Sequence, residues 1–276
     1  MIPPRPSAAH LLTQLLEART GQQLAAYRSW RLDVALKPLL KERGLDTLDQ
    51  LAAELMDCAT PGLDDLIVDA LVNAETSFFR DAHVFDQVAE VVAHAAAENR
   101  RARIWSAGCA TGQEPLSLAM LFAEKAGTGR AALPEIVATD VSEGALARAR
   151  SGRYTQFEVQ RGLPIRRLLQ WFEQKGDDWI ASPELLRAIH YRRLNLVDDT
   201  PPPGRFDLVM CRNVLLYFAP EVKARVFASL AGALRPGGLL VLGAGETVIG
   251  QTRLFEPSRR FRGLYEKTAT PAARAA

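Results

Sequence analysis

The sequence predicts an α/β chain: a doubly wound, mostly parallel sheet preceded by a small all-helical domain. Three observations point there. From about residue 86 onward, short apolar runs alternate with helical patterns, an order that yields a parallel sheet covered on both faces. Residues 8 to about 72 carry helical spacing and no strand-like alternation. Within the second stretch, Ile104-Trp-Ser-Ala-Gly-Cys-Ala-Thr-Gly-Gln-Glu-Pro115 ends an apolar run in small residues and two glycines just before a helix begins.

Taken in order, helices are expected at Ala8–Leu16, Leu24–Lys41, Leu48–Leu55 and Asp64–Val72, punctuated by Gly21, Gly44 and Pro61-Gly62. Pro38 is expected to kink or divide the second helix. Arg28, Arg31, Lys37, Lys41 and Arg43 make that region basic, but at helical spacing they do not share one face, which suits a solvated surface. Next come helix Asp86–Glu98, strand Ala102–Ser106, helix 115–125, strand Glu135–Asp140 and helix Ser142–Arg150. Then follow strands Tyr191–Leu194 and Phe206–Cys211, helix Pro220–Leu234 and strand Leu239–Gly243, with Arg235-Pro-Gly-Gly238 read as a turn. Residues 151–195 break the rhythm and read as an insertion holding a helix, Ile165–Phe172, and a small hairpin-like element around Trp179-Ile-Ala181. The expected organisation is a helical domain over 8–72, a connecting segment over 73–85, an α/β domain over 86–266 with its insertion at about 155–192, and a disordered tail over 267–276.

Composition narrows the function. With 276 residues and 48% hydrophobic content the chain can bury a sizeable core. A formal charge of +2 gives no argument for nucleic acid or an acidic membrane. No apolar stretch is long enough for membrane insertion, and Met1-Ile-Pro-Pro-Arg-Pro6 lacks the apolar core of a signal peptide. Three cysteines, at 58, 109 and 211, have no paired spacing, which suits a reducing, cytoplasmic setting. The four histidines, 10, 83, 94 and 190, form no ligand cluster, so no metal site is expected.

The glycine turn carries the first chemical signal. Gly108 and Gly112 are expected to clear side chains from the place of a nucleotide-type ligand and to adopt backbone angles other residues avoid. Pro115 suits the first turn of the next helix. The plain alternative is an ordinary strand–turn–helix joint. Asp140 ends the following strand, where an acidic residue in an open sheet holds ribose hydroxyls. Such a charge-assisted bond contributes roughly 1.5–3 kcal/mol. The plain alternative for Asp140 is an N-cap of the helix after it. The turn is G-x-x-x-G and lacks the dinucleotide fingerprint, which argues against a nicotinamide oxidoreductase.

Four separated segments resemble the CheR-type chemotaxis receptor protein-glutamate O-methyltransferases. Glu75-Thr-Ser-Phe-Phe-Arg-Asp81 is similar to the family's N-x-T-x-F-F-R-E. Gly108-Cys-Ala-Thr-Gly-Gln-Glu-Pro-Leu-Ser117 is similar to its G-C-S-T-G-E-E-P-Y-S. The third is Ala138-Thr-Asp-Val-Ser142 with Ala149-Arg-Ser-Gly-Arg-Tyr154, and the fourth is Phe206-Asp-Leu-Val-Met-Cys-Arg-Asn-Val-Leu-Leu-Tyr-Phe218. Arg19-Thr-Gly21 and Arg43-Gly-Leu45 fit too, so the likeness runs from about 10 to 266. The departures are Ala74 in place of Asn, Gln113 in place of an acid and Leu116 in place of Tyr.

The resemblance implies a Rossmann-like S-adenosylmethionine-dependent methyltransferase domain with an N-terminal helical domain and a small inserted β-subdomain. It implies methylation of glutamate carboxylates on the cytoplasmic signalling helices of chemoreceptors by a monomer, with S-adenosylhomocysteine as by-product. Thr76, Arg80, Gly108, Glu114, Asp140, Asn195, Leu196, Arg212 and Asn213 match cofactor-contacting places, and Arg80 and Tyr217 match those facing the reacting methyl. Asn195-Leu196 would hold the adenine edge. Plain alternatives are an N-cap role for Thr76 before a helix at Phe78–Val84, a helix-dipole role for Glu114 and a turn role for Asn213. Phe78 and Phe79 read as packing residues, Cys109 and Cys211 as buried residues rather than nucleophiles. The short stretch Phe172–Leu185 suggests that docking of a receptor's C-terminal peptide is absent. Two other functions share these residues: a methyltransferase on another protein or small molecule, and a non-catalytic module binding the cofactor or its product.

Overall fold

The computed structural model describes residues 7–24, 30–57, 60–127 and 133–268. The N-terminal Met1–Pro6, Arg28, Cys58 and the tail from 269 lie outside the described residues. The chain divides into two compact units, one of Met1–Asn73 with Tyr217–Val222 and one of Ala74–Leu216 with Lys223–Ala276.

The first unit holds helices α1 (Ala8–Thr20), α2 (Trp30–Arg43), α3 (Leu48–Met56) and α4 (Leu63–Leu71). Local chemistry sets their ends. The Ser7 side chain accepts from the His10 N–H at the start of α1, and Gly21, at φ 73°, closes it. Thr47 and Gln50 form a reciprocal capping box before α3. Leu12, Leu16, Leu32, Leu36, Leu51 and Ile67 recur at helical spacing and form the core. Pro38 does not divide α2. Leu36 and Leu39 on either side of it are buried in the core, so packing holds the helix across the missing N–H. Arg43 pairs with Glu54 at 2.8 Å and donates to Thr60. Within the same unit the Tyr217 carbonyl accepts from the Gln23 N–H at 2.8 Å, and Asn73 Nδ2 donates to Tyr217 Oη.

The second unit begins with α5 (Ala82–Ala97), β1 (Arg103–Ala107), α6 (Gln113–Gly127), β2 (Glu135–Asp140) and α7 (Glu143–Ser151). A small subdomain follows: β3 (Arg153–Thr155), α8 (Gln156–Gln160), α9 (Ile165–Trp171), β4 (Phe172–Lys175), β5 (Asp178–Ala181) and α10 (Pro183–Arg187). The main sheet resumes with β6 (Ile189–Arg193) and β7 (Phe206–Cys211), then α11 (Pro220–Ala233), β8 (Leu234–Leu242), β9 (Phe255–Pro257) and β10 (Tyr265–Lys267). Among the described residues the large sheet has seven strands in the order β6-β2-β1-β7-β8-β10-β9. The run from β6 to β8 is parallel, and β10 and β9 close it antiparallel. Every residue of β7 is buried, as expected of a strand covered on both faces.

Three expectations change. The small sheet is three-stranded, β3-β5-β4, because Arg153–Thr155 pairs antiparallel with β5 and extends the predicted hairpin. The inserted segment ends earlier than expected, since Ile189–Arg193 pairs in parallel with β2 as a strand of the main sheet. Arg235–Gly238 is not a turn before the last core strand but lies inside β8. There the register jumps from Phe206↔Leu234 to Leu208↔Leu239, a bulge that Pro236, lacking an N–H, and Gly237, at φ 68°, accommodate.

Candidate functional site

Strands β2, β1 and β7 are neighbours and parallel, so their carboxyl ends open on one edge of the sheet. The turns after them are Gly108–Gly112, Val141-Ser142 and Arg212–Leu215. Open parallel sheets take ligands at this edge.

The turn after β1 is held mostly by backbone. Gly108 N–H and Cys109 N–H both donate to the Thr139 carbonyl, at 2.8 and 2.9 Å. Ala110 lies at φ 49°, and its N–H donates to Asp140 Oδ2 at 2.8 Å. Asp140 Oδ1 accepts from the Ser142 N–H at 3.0 Å, while Ser142 itself caps α7, so Asp140 is not that helix's N-cap. An ionised carboxylate has about four acceptor sites, so it can hold more than one donor at a time. Tyr154, from the small subdomain, donates to the Thr111 carbonyl at 2.7 Å. The glycines also serve the packing of the protein itself. A Cβ on Gly108 would meet Val214 Cγ2 at 2.5 Å, and one on Gly112 would meet Ala149 Cβ at 2.8 Å. At both positions the space a side chain would take is filled by protein. The expected positive φ is present at both, 79° and 92°.

The Phe78–Asp81 turn is strained. Phe79 and Asp81 have φ of 47° and 56°, unusual for residues with side chains. No helix spans Phe78–Val84; α5 starts only at Ala82, so Thr76 does not cap it. Phe78 is fully buried, edge-on to Tyr154 and Phe172 with centroids at 5.1 and 5.7 Å. Phe79 N–H donates to Ser117 Oγ at 3.0 Å, and Arg167 lies 4.1 Å over the Phe79 ring. These contacts fix the backbone on the N-terminal side of Arg80, whose guanidinium has no hydrogen-bond or ion-pair partner among the described residues.

Arg212 ties that turn to the sheet. Its side chain, 3% exposed, gives Nη2 to Asp81 Oδ2 at 2.5 Å and to the Arg80 carbonyl at 2.9 Å, and Nη1 to Glu114 Oε2 at 3.1 Å. Glu114 also accepts from Ser106 Oγ at 2.8 Å, so it does more than complement a helix dipole. Asn213 sits at φ 59° with its Oδ1 buried and unpartnered. Its backbone N–H donates to Glu246 Oε2 at 2.7 Å. Asn195 starts the turn after β6: its Oδ1 accepts from the Val197 N–H at 3.0 Å, and its own N–H donates to Asp199. Leu196 beside it is buried.

Thr76, Arg80, Gly108, Glu114, Asp140, Asn195, Leu196, Arg212 and Asn213 thus all fall in the α/β unit, and Tyr217 falls in the helical unit. Sequence reasoning assigned no role to Ser106, Ser117 and Glu246, which hold these residues; Ser106 and Ser117 lay inside segments it singled out, and Glu246 lay outside all of them. Burial pushes the Cys109 and Cys211 thiols well above their ordinary range, which leaves them protonated and inert. Among the described residues no His, Cys, Asp or Glu cluster could hold a metal ion, and no helix is long and apolar enough to cross a membrane.

The donor set fits S-adenosylmethionine. Asp140 offers a carboxylate at the end of β2, and the buried Asn213 Oδ1 lacks a donor among the described residues. A ribose diol and an ammonium answer these two needs. Sheet and edge are compatible with the class of S-adenosylmethionine-dependent methyltransferases, and the family comparison places the chain in it. The family model described as CheR methyltransferase, SAM binding domain, matches residues 74–262. The chain is 36% identical to Chemotaxis protein methyltransferase 1 of Pseudomonas aeruginosa, over 86% of this chain and 89% of that protein. It is 35% identical to Chemotaxis protein methyltransferase of Vibrio parahaemolyticus, over 92% and 94%, and 31% identical to that of Listeria monocytogenes, over 90% and 93%. The chain belongs to the CheR methyltransferase family.

Proposed function

We propose that this methyltransferase converts glutamate side chains on the signalling helices of chemoreceptors into methyl esters. The observation that carries the reading is Arg80: a cation without an acid partner among the described residues, on a turn clamped by Arg212, Ser117 and Arg167 beside the carboxyl edge of the sheet. A planar guanidinium fork suits an incoming carboxylate.

S-adenosylmethionine, when bound, supplies a methyl carbon on a positively charged sulfur. With it bound, a glutamate oxygen would take that methyl as the C–S bond breaks, and the bonding pair would stay on sulfur as a neutral thioether. A glutamate carboxylate is ionised near neutral pH, so the protein need not supply a strong base. Its work is orientation and exclusion of water, which in favourable cases lowers a barrier by about 7–11 kcal/mol. In this reading Asp140 holds the ribose, Asn195 and Leu196 border the adenine, and Asn213 and Glu114 face the amino-acid end. Thr76 and the backbone at Gly108 complete the cofactor contacts. Arg80 aims the carboxylate without a tight bidentate grip, which would blunt the nucleophile. Tyr217 enters through the motif resemblance, as a hydrogen-bond donor or wall for the methyl.

The test is transfer of labelled methyl from S-adenosylmethionine to purified receptor signalling fragments, followed by mild base. Label released as methanol is the expected result for an ester. Label that stays on the protein, or incorporation only into other substrates, would overturn the reading.

A further inference from the structure

We propose that Glu246 is a positioning residue for cofactor binding, acting through the Arg212–Leu216 turn. Glu246 lies outside every recognised motif, yet its carboxylate gathers backbone from two strand ends. Oε2 accepts from the Asn213 N–H at 2.7 Å and from the Gly243 N–H at 2.8 Å. Oε1 accepts from the Leu216 N–H at 3.2 Å. One side chain therefore ties the end of β7, the end of β8 and the backbone at Leu216. Its own N–H donates to the Gly243 carbonyl at 2.9 Å, which fixes the tight turn that presents it.

The geometry it imposes is specific. Asn213 sits in a left-handed conformation, φ 59°, which asparagine tolerates better than most residues with a side chain, and the Glu246 bond to its N–H holds it there. A Cβ on Gly243 would meet Asn213 Nδ2 at 2.7 Å, so the Asn213 amide lies directly over that glycine. With its Nδ2 side packed there, Oδ1 is left buried and unpartnered. Next along the chain, Val214 fills the space left open at Gly108, so the turn after β7 and the turn after β1 share a wall. An anionic acceptor for three N–H groups is the natural brace for such a turn, since charge-assisted bonds are the stronger kind. Glu246 does not touch the ligand in this account; it aims the group that does.

The inference rests on the reading of Asn213 as a cofactor contact, and the test separates the two. S-adenosylhomocysteine affinity is measured by calorimetry for the parent, Glu246→Gln, Glu246→Ala, Asn213→Ala and the double variant Glu246→Gln/Asn213→Ala, with melting temperature recorded for each. Glu246→Gln keeps one carbonyl acceptor and serves if Glu246→Ala does not fold. Glu246→Gln is expected to weaken binding about tenfold, equivalent to about 1.4 kcal/mol, with little change in melting temperature. Glu246→Ala is expected to weaken it further. In the Asn213→Ala background, Glu246→Gln is expected to change affinity less than about twofold, because neighbours acting through one contact are non-additive. Parent-like affinity for Glu246→Gln, or the same loss in both backgrounds, overturns the role of Glu246 while leaving Asn213 in the site. Parent-like affinity for Asn213→Ala removes Asn213 from the site, and the inference with it.

Discussion

The turn after β1 and the turn after β7 lie side by side at the ligand edge, yet they are built by opposite means. The first is held by shape. Two glycines and an alanine at positive φ let backbone N–H groups reach Thr139 and Asp140, while Val214 and Ala149 press into the space where side chains would be. The second is held by charge. Arg212 spans Asp81, Glu114 and the Arg80 carbonyl, and Glu246 collects three N–H groups. In the proposed reading the backbone-held turn is the floor for the nucleoside and the charge-held turn aims polar groups at the reacting end, and a charge-held turn depends on every member of its set.

The largest expected effect follows from that dependence. Arg212→Ala leaves Asp81 and Glu114 without their shared cation in a site where the guanidinium is only 3% exposed. Loss of one partner from a buried ionic set costs about 3–5 kcal/mol, so urea unfolding should show a drop of that order. A drop below about 1 kcal/mol, typical of an exposed pair, would mean that charge does not hold the second turn.

Arg80→Ala is next. It should lower turnover by roughly 10²-fold, as misplacement of a reactant does, with S-adenosylhomocysteine affinity changed only a few-fold. Equal turnover in a radiolabelled methyl assay would remove Arg80 from the chemistry. Asp140→Ala tests the first turn's one charged member: affinity should fall about 10- to 100-fold by calorimetry, the scale of one charge-assisted bond. Parent-like affinity would place the ribose elsewhere.

The smallest effect separates shape from backbone angle. Gly44 and Gly108 both lie at positive φ, 68° and 79°, but a Cβ at Gly44 meets nothing within 4 Å while one at Gly108 meets Val214. Gly44→Ala should cost about 1–2 kcal/mol for the angle alone. Gly108→Ala should cost about 1–3 kcal/mol more, for overpacking against the second turn. Equal losses in chemical denaturation would show that the two turns are not in tight contact.

This contrast also explains what the sequence made legible. A shape-held turn announces itself locally, since Gly108, Gly112 and Pro115 sit within eight residues and the Glu135–Asp140 strand lies just beyond. The core strands were equally readable, because β7 is buried throughout and so is written as an apolar run. A charge-held turn is assembled from afar. Arg212 meets Asp81 across 131 positions and Asn213 meets Glu246 across 33, and an acid in a Gly-Ala-Gly-Glu string looks like any solvated turn residue. Side-chain direction was hidden too: Gly108 reads as space for a ligand until Val214, 106 positions away along the chain, is seen to fill it. The bulge at Arg235–Gly238 was misread for a related reason, since Pro-Gly-Gly marks a turn locally while pairing with Phe206 and Leu208 carries the strand through it.

A crystal structure with S-adenosylhomocysteine bound tests the central claim most directly. The account predicts the ribose hydroxyls on the Asp140 carboxylate, the amino group on Asn213 Oδ1 and the Arg80 guanidinium facing the sulfur across an open gap. A ligand bound away from the ends of β1, β2 and β7, or Arg80 turned outward with the sulfur sealed from any incoming carboxylate, would contradict it.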